Sequence, residues 1–536
     1  MKLKQRTALF ALFALLAVAA SSQPDSLRAP STEATHTLST EAVRIPSMEA
    51  VREQNDWLAG ANPVALSMNR FRSLSVAEIT YGHGAGALGN PLLPTSTDRY
   101  AVSSESYQRL GNVSLYGRLG YALTRRQEMN WNGMTSSHWS AVPLCDSVSG
   151  NQRAERYELA GAVALPLGRH WLIGTRFDYH VEQTAKDTDP RNLNQWMEWT
   201  LTPGIGYERH RLRLGLSLLY TRRTEGVDYQ HVGNHVTYPV FVAYPLGFFG
   251  TLSGSEPINW HYASDQAGGA LQMSIVRPQQ MRLFQQLGGS LIRQSVESNR
   301  IENRQQSETE AWQLTYTARV TRLLPHARHE WAAHADYHQS RSYAPLQRQQ
   351  AGSPYQTYGR VLRSTRHEGL YRLTYGYHRL RHAWQPRFSL LSGITLRQTQ
   401  SALLFYPAEY TQPLHRLTAD VTLNRNFPLP SAAQLDLSVG GQYGTGGGSL
   451  QNEKQGDGQT QPEIRLWQNT ELQQQVYRYA VASRWQLNAS LTYTRELAHS
   501  PLRWFVRLAG QYERDAKQQL PHPHGIDITA QIGILF

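Results

Sequence analysis

Of the 536 residues, 40% are hydrophobic, 10% aromatic and 18% charged, and 53 Lys and Arg stand against 41 Asp and Glu for a net charge of +12. The basic residues are spread along the chain, often at alternate positions, and form no basic block or nucleic-acid motif, which argues against a nucleic-acid partner. No run beyond residue 20 approaches 18 apolar residues, which excludes helical membrane spans, but a mean hydropathy of −0.51 is compatible with strands in which apolar and polar residues alternate.

The chain begins with a basic stretch, Lys2, Lys4 and Arg6, followed by an apolar stretch from Thr7 to Ala20 and the small residues Ala20-Ser21-Ser22. This order predicts a signal peptide over residues 1–22, cleaved before Gln23. No cysteine stands near the cleavage point, so no lipid anchor is expected, and the single Cys145 excludes a disulfide framework. Residues 23–56 are rich in Ser, Thr, Glu and Ala, with an echo in Ser31-Thr-Glu-Ala, Ser39-Thr-Glu-Ala and Ser47-Met-Glu-Ala. They read as a mostly disordered periplasmic tail with a short helix near Ser47 to Gln54, or as an arm that holds a partner. The tail is too short for the folded plug of a TonB-dependent receptor.

From residue 57 to 536 the pattern has period two. In Arg211 to Tyr220 the even positions Leu212, Leu214, Leu216, Leu218 and Tyr220 are apolar and the odd positions are not. Asn112 to Leu123 and Ala311 to Thr321 behave alike. Alternation over nine or ten residues suits a tilted strand that crosses a bilayer. Trp171 and Tyr179, Trp485 and Tyr493, and Trp504 and Tyr512 stand eight residues apart on one face. That spacing is about 20 Å along the membrane normal, as expected between two aromatic girdles.

Eight short connections are predicted at Leu110-Gly-Asn, Pro166-Leu-Gly-Arg, Glu208-Arg-His, Arg277-Pro-Gln-Gln, Pro325-His-Ala-Arg, Arg381-His-Ala-Trp, Pro428-Leu-Pro and Ala498-His-Ser-Pro. Longer polar stretches alternate with them, among them Arg125 to Gly150, Glu225 to Gln266, Ser342 to Tyr358 and Gly444 to Thr470. Together they predict an all-β fold: a transmembrane antiparallel β-barrel of about 18 strands (14–18), with short periplasmic turns and long extracellular loops. The chain ends in Ile526, Ile528, Ala530, Ile532, Ile534 and Phe536 on one face. The Ile534-x-Phe536 ending resembles the signal by which the insertion machinery recognises Gram-negative outer-membrane barrels.

Asn62-Pro-Val-Ala, the strand at Ser75 to Tyr81 and this C-terminal strand give the span from Trp57 to Phe536 a layout that resembles an uncharacterised family. Its members are Gram-negative outer-membrane β-barrels, a domain of unknown function, some linked to TonB-dependent uptake systems. The resemblance implies an outer-membrane location and a barrel fold, and offers a TonB-dependent receptor or another outer-membrane subunit as a partner. Outer-membrane lipid, lipopolysaccharide and the insertion machinery are the other expected partners; no cofactor and no metal are expected.

Candidate chemistry is sparse. Gly84-Ala-Gly86-Ala-Leu-Gly89 matches a dinucleotide fingerprint, but Asn90-Pro-Leu-Leu-Pro cannot open the helix that a pyrophosphate needs, so it reads as a flexible loop. Gly444 to Ser449 reads likewise. His334, Asp336 and His338 share a strand face, as do Arg176, Asp178 and His180; either set could line a lumen or serve a hydrolase. Arg118, Arg213, Arg319, Arg372, Arg484 and Arg507 are also expected to face inward, with Glu158, Asp420 and Asp436. Their excess favours anions, unless they pair across a packed interior. His210, His326, His329 and His382 fall at short turns and are assigned no metal. In the longest loop, Tyr229, Tyr238, Tyr244, Phe248, Phe249, Trp260 and Tyr262 are expected over the mouth, against ligand or packed on one another. The leading expectation is passage or handling of solutes without covalent chemistry. An accessory or scaffold subunit of an uptake or secretion complex and an outer-membrane hydrolase are the alternatives.

Overall fold

The structure, a computed structural model, describes residues 55–58, 60–68, 72–135, 140–233, 238–252, 258–277, 281–298, 304–349, 354–382, 385–405, 408–454, 466–497, 500 and 502–536. The expected leader and residues 23–54 of the tail lie outside the described residues. All described residues belong to one compact unit, Pro46–Phe536.

The first strands are β1 (Ser73–Ala85), β2 (Ser96–Leu110), β3 (Val113–Met129), β4 (Leu144–Asp146), β5 (Gly150–Leu167), β6 (Trp171–Lys186), β7 (Arg191–Arg209) and β8 (Leu212–Gln230). There follow β9 (Val240–Tyr244), β10 (Phe248–Leu252), β11 (Ile258–Arg277), β12 (Met281–Ser298), β13 (Arg304–Leu323), β14 (Ala327–Arg348), β15 (Gln356–His382) and β16 (Gln385–Phe405). The last are β17 (Ala408–Leu429), β18 (Ala433–Gly448), β19 (Asn452–Lys454), β20 (Leu466–Gln468), β21 (Arg484–Glu496), β22 (Arg503–Asp515) and β23 (His524–Leu535). Among the described residues one α-helix, α1 (Thr470–Val481), precedes β21.

Setting aside the short β4, β9, β10, β19 and β20, eighteen strands pair antiparallel in chain order, and β23 returns to β1 to close the ring. The seam runs from Val76↔Leu535 to Ala85↔Ile526, and the Phe536 carbonyl accepts from the Ser75 amide at 2.7 Å. Closure removes both sheet edges, so every barrel strand has two partners. The eighteen-strand expectation therefore holds, and each of the eight predicted short connections falls at a strand junction.

The exterior is inverted relative to a soluble protein. Leu218 is 56% exposed, whereas Ser217 beside it is 2%. The same alternation puts Leu271, Leu287, Leu373, Ile394 and Leu508 outside. An exposed apolar wall of this extent is stable only against lipid. The strands are also longer than a bilayer requires. β15 has 27 residues where about 9–11 would cross, so the wall continues beyond the apolar band. Here the expected loops shrink: residues 225–230, 258–266 and 342–348 are strand, not loop. The connections at 187–190 and 406–407 are as short as those at the opposite end.

Candidate functional site

The interior carries different structures at its two ends, here called the loop end and the turn end. At the loop end, β4, β9, β10 and β20 form a second sheet in the order β20-β10-β9-β4, with pairs such as Leu144↔Val242, Phe248↔Tyr244 and Phe249↔Trp467. Its strands come from three loops: β3 to β5, β8 to β11, and β18 to β21. On one face Leu144, Val240 and Val242 pack against Val227, Tyr229, Trp260, Tyr262 and Val296 of the barrel wall. On the other, Cys145, Phe241 and Phe249 pack against Leu472 of α1, with Leu92 and Trp131. Leu246 and Phe248 reach Leu403 and Phe405 of β16. The sheet and α1 thus bridge the mouth with a small apolar core.

Polar groups lock this cap to the wall. Lys186, 1% exposed, donates to Asp146 Oδ1 and to the Val148 carbonyl, each at 2.6 Å. Burial pushes the Asp146 carboxyl above its ordinary pKa, and Lys186 opposes that shift. Glu225, fully buried, accepts from the Thr135 amide and from Asn194 Nδ2, both at 2.7 Å. The Arg416 guanidinium donates to the carbonyls of Ala480 (3.4 Å) and Ala482 (3.2 Å), and that of Arg484 to the Tyr479 carbonyl. Cations there suit the unpaired carbonyls at the helix C-terminus. Burial pushes the Cys145 thiol well above its usual range, which makes it a poor nucleophile.

At the turn end, residues 55–58 and 60–68 lie along the inner wall. The Trp57 indole donates to Ser274 Oγ at 2.9 Å. Asn62 Nδ2 donates to the Ile205 (3.1 Å) and Leu216 (3.2 Å) carbonyls and to Gln272 Oε1 (3.1 Å), and Pro63–Met68 forms a 3-10 turn. Gly174, Gly204, Gly206 and Gly215 form the bed beneath. A Cβ on Gly215 would come within 2.7 Å of Trp57, and on Gly206 within 3.0 Å of Val64. Glycine recurring inside these strands marks the close approach of another backbone. The Asn62-Pro-Val-Ala stretch, expected as the entry to the first strand, is this inner segment.

Against this inner segment lies a cavity of about 340 Å³ lined by Gly60, Ala61, Thr202, Ser217, Leu219, Gln266, Ala270, Gln286 and Gln313, with Arg176 and Asp178. Of the residues expected to line a lumen, Arg176 and Asp178 border this cavity, and most of the charged ones are paired. Arg176 makes two 2.7 Å bonds to Asp178. Arg213 pairs with Glu208 (2.8 Å), Arg372 with Asp420 (3.5 Å), Arg484 with Glu513 (3.3 Å) and Arg118 with Glu158 (3.3 Å). Arg319 pairs with Asp56 (3.0 Å) and Glu330 (3.2 Å). Asp436 accepts from Gln434 Nε2 at 2.7 Å. Arg507 stands on the inner face of β22, opposite the outward Leu508. The arginine excess is thus largely neutralised, and pairing across the interior displaces the reading of an open anion-attracting field.

His334, Asp336 and His338 face inward together but do not join. His334 Nδ1 bonds the Thr317 hydroxyl at 3.0 Å, Gln313 donates to Asp336 at 2.7 Å, and His338 Nδ1 lies 3.9 Å from Glu368. His180 Nδ1 likewise bonds Arg156 at 3.4 Å, away from Asp178. Neither set forms a relay of nucleophile, base and orienting carboxylate. Among the described residues no three His, Cys, Asp or Glu gather as metal ligands.

Trp171, Tyr179, Trp485, Tyr493, Trp504 and Tyr512 face outward, in ring contacts such as Trp171–Tyr207 (4.9 Å), Tyr493–Trp504 (5.3 Å) and Tyr443–Trp485 (4.5 Å). Ile534 pairs with Ala77 and Trp504 beside the seam. Of the two alternatives for the loop aromatics, packing holds for Tyr229, Phe248, Phe249, Trp260 and Tyr262, which are buried in the core of the cap, while Tyr238 is exposed. One expectation needs correction. The glycine loops at 84–89 and 444–448 are packed: Leu88 is buried with Ala482 and Leu520, and a Cβ on Gly446 would meet Val481.

A family model described as "Family of unknown function (DUF6850)" matches residues 63–536. A search of curated proteins finds no match. Among solved structures, the chain is similar to the RagAB peptide transporter at 7% identity, covering 87% of each chain with a TM-score of 0.41. It is similar to BauA, the ferric preacinetobactin receptor of Acinetobacter baumannii, at 9% identity, covering 86% of this chain and 80% of that one, with a TM-score of 0.40. The copper transporter OprC is similar at 9% identity over 87% of this chain and 81% of that one, with a TM-score of 0.36.

Proposed function

We propose, for a chain that belongs to the family of unknown function DUF6850, a role as an outer-membrane β-barrel that handles a solute without covalent chemistry and is closed at rest. The observation that carries this reading is the cavity on the inner wall, between the cap at the loop end and the inner segment at the turn end. A volume of about 340 Å³ suits a small solute. Its lining mixes amides, hydroxyls and one neutralised Arg176–Asp178 pair with glycines, Ala61, Ala270 and Leu219, which suits a small neutral solute with both polar and apolar groups better than a free anion. In this reading a leader over residues 1–22 exports the chain, and the insertion machinery reads Ile534 and Phe536. The loop end faces lipopolysaccharide, and the aromatic rows mark the two membrane interfaces.

The test is conductance in a planar bilayer. Inserted wild-type protein is expected to give no steady unitary current, whereas deletion of residues 240–252 is expected to give stable steps. Steady current from the wild type would overturn the resting closure. Silence from the deletion variant, once inserted, would overturn passage and favour the accessory-subunit role, in which residues 23–54 hold a partner.

A further inference from the structure

The arginines at the turn end fall into two classes that the fold keeps apart. Four that face inward are compensated by carboxylates: Arg213 by Glu208, Arg319 and Arg328 by Glu330, and Arg503 by Glu496. Those facing outward are not. Arg209, Arg277, Arg322, Arg379, Arg425 and Arg495 are all exposed, and none has an ion pair among the described residues. Each sits two residues beyond an outward apolar or aromatic side chain on the same strand face: Tyr207, Ile275, Val320, Tyr377, Leu423 and Tyr493 respectively. Two residues further along a tilted strand is about 5 Å deeper, which moves a side chain from the aromatic row to the level of lipid headgroups.

The strand register then groups four of them. Arg277 and Arg322 both stand opposite Met281, one from each side, and Arg379 and Arg425 both stand opposite Phe388. Each triplet puts two guanidinium-bearing positions about 10 Å apart across three strands, with an apolar side chain between them. Met281 is 42% exposed. Guanidinium forks match phosphate oxygens, and the central apolar residue gives the first acyl carbons a surface.

We propose that these two triplets, Arg277–Met281–Arg322 and Arg379–Phe388–Arg425, bind anionic phospholipid headgroups of the periplasmic leaflet. The proposal rests on the outer-membrane reading above. An acidic periplasmic protein is a poorer occupant, because the positions share the lipid-facing side with Ile275, Leu423 and the aromatic rows.

The experiment titrates phosphatidylglycerol, with phosphatidylcholine of equal chain length as reference, onto the full-length protein and counts retained lipid by native mass spectrometry. The quadruple variant Arg277→Gln, Arg322→Gln, Arg379→Gln, Arg425→Gln is expected to lose phosphatidylglycerol retention about tenfold. The loop-end variant Arg125→Gln, Arg153→Gln, Arg191→Gln, Arg341→Gln is expected to retain it as the wild type does. Equal loss in both variants, or no loss in the first, would overturn the proposal. The two readings fail separately: wild-type protein that does not enter phospholipid vesicles contradicts the membrane reading, whereas insertion without any preference for phosphatidylglycerol contradicts this inference alone.

Discussion

The two ends of the barrel are held together by different physics. The loop end carries a folded object, with its own four-stranded sheet, apolar clusters on both faces, a buried lysine–carboxylate pair and a buried glutamate that accepts from Thr135 and Asn194. The turn end carries a single length of chain, held by amide hydrogen bonds and seated on glycines. Burial of large side chains gives a closure that opens only as a unit, because apolar packing and buried charge must be broken together. A strip of chain on hydrogen bonds can peel away residue by residue, each bond contributing about 0.5–1.5 kcal/mol. The cap is therefore the more stable of the two structures and the inner segment the yielding one.

The largest expected effect comes from breaking the cap's charge pair on one side only. Lys186→Met leaves Asp146 buried without its cation and is expected to destabilise the cap by about 3–5 kcal/mol. The double variant with Asp146→Asn is expected to recover most of that loss. Protease cleavage in the 130–149 loop measures both, and equal sensitivity of single and double variants would contradict a buried-charge origin.

A middle-sized effect is expected from the glycine bed. Gly215→Leu would drive a side chain into Trp57 and Asn62, an overpacking cost of about 1–3 kcal/mol that is relieved if the segment leaves the wall. Hydrogen exchange should then rise across residues 60–68 while the cap stays protected. A uniform rise at both ends would show the closures to be coupled, against the comparison drawn above.

The smallest effect concerns pH. Asp189, in the turn between β6 and β7, accepts from the backbone amides of Gly233 (2.5 Å) and Val232 (3.1 Å), and the Gly233 bond above all holds its carboxyl below the usual range. A depressed carboxylate stabilises the fold above its unfolded pKa of about 3.9 and loses that contribution as pH falls through its lower folded value. Protection factors of the Val232 and Gly233 amides, corrected for intrinsic exchange, should fall over that acid window. In Asp189→Asn they should be low throughout and insensitive to pH.

The barrel was legible from sequence because its signals are periodic and repeated. Alternation such as Leu212 to Tyr220 marks a strand, and eight turn signals set the strand count. The cap was not legible, because strands of three to five residues such as Val240–Tyr244 are apolar runs without a period. Its aromatics were foreseen at the mouth, but packing there exceeds what composition can reveal. The alternation says which arginines share a face, but their compensation depends on cross-strand register, as between Arg372 and Asp420, which lie on strands separated by β16. The inner segment did leave a trace, in Gly204, Gly206 and Gly215 recurring inside strands, where glycine is otherwise unfavourable.

The single cysteine sits inside the cap, 1% exposed between the sheet and α1. The molecule thus carries one natural reporter thiol, with no competing site elsewhere in the chain. Its rate of alkylation by a membrane-impermeant maleimide is a clock for cap opening in the unmodified protein, in intact cells as well as in reconstituted membranes. A solute that triggers passage would announce itself by setting that clock running.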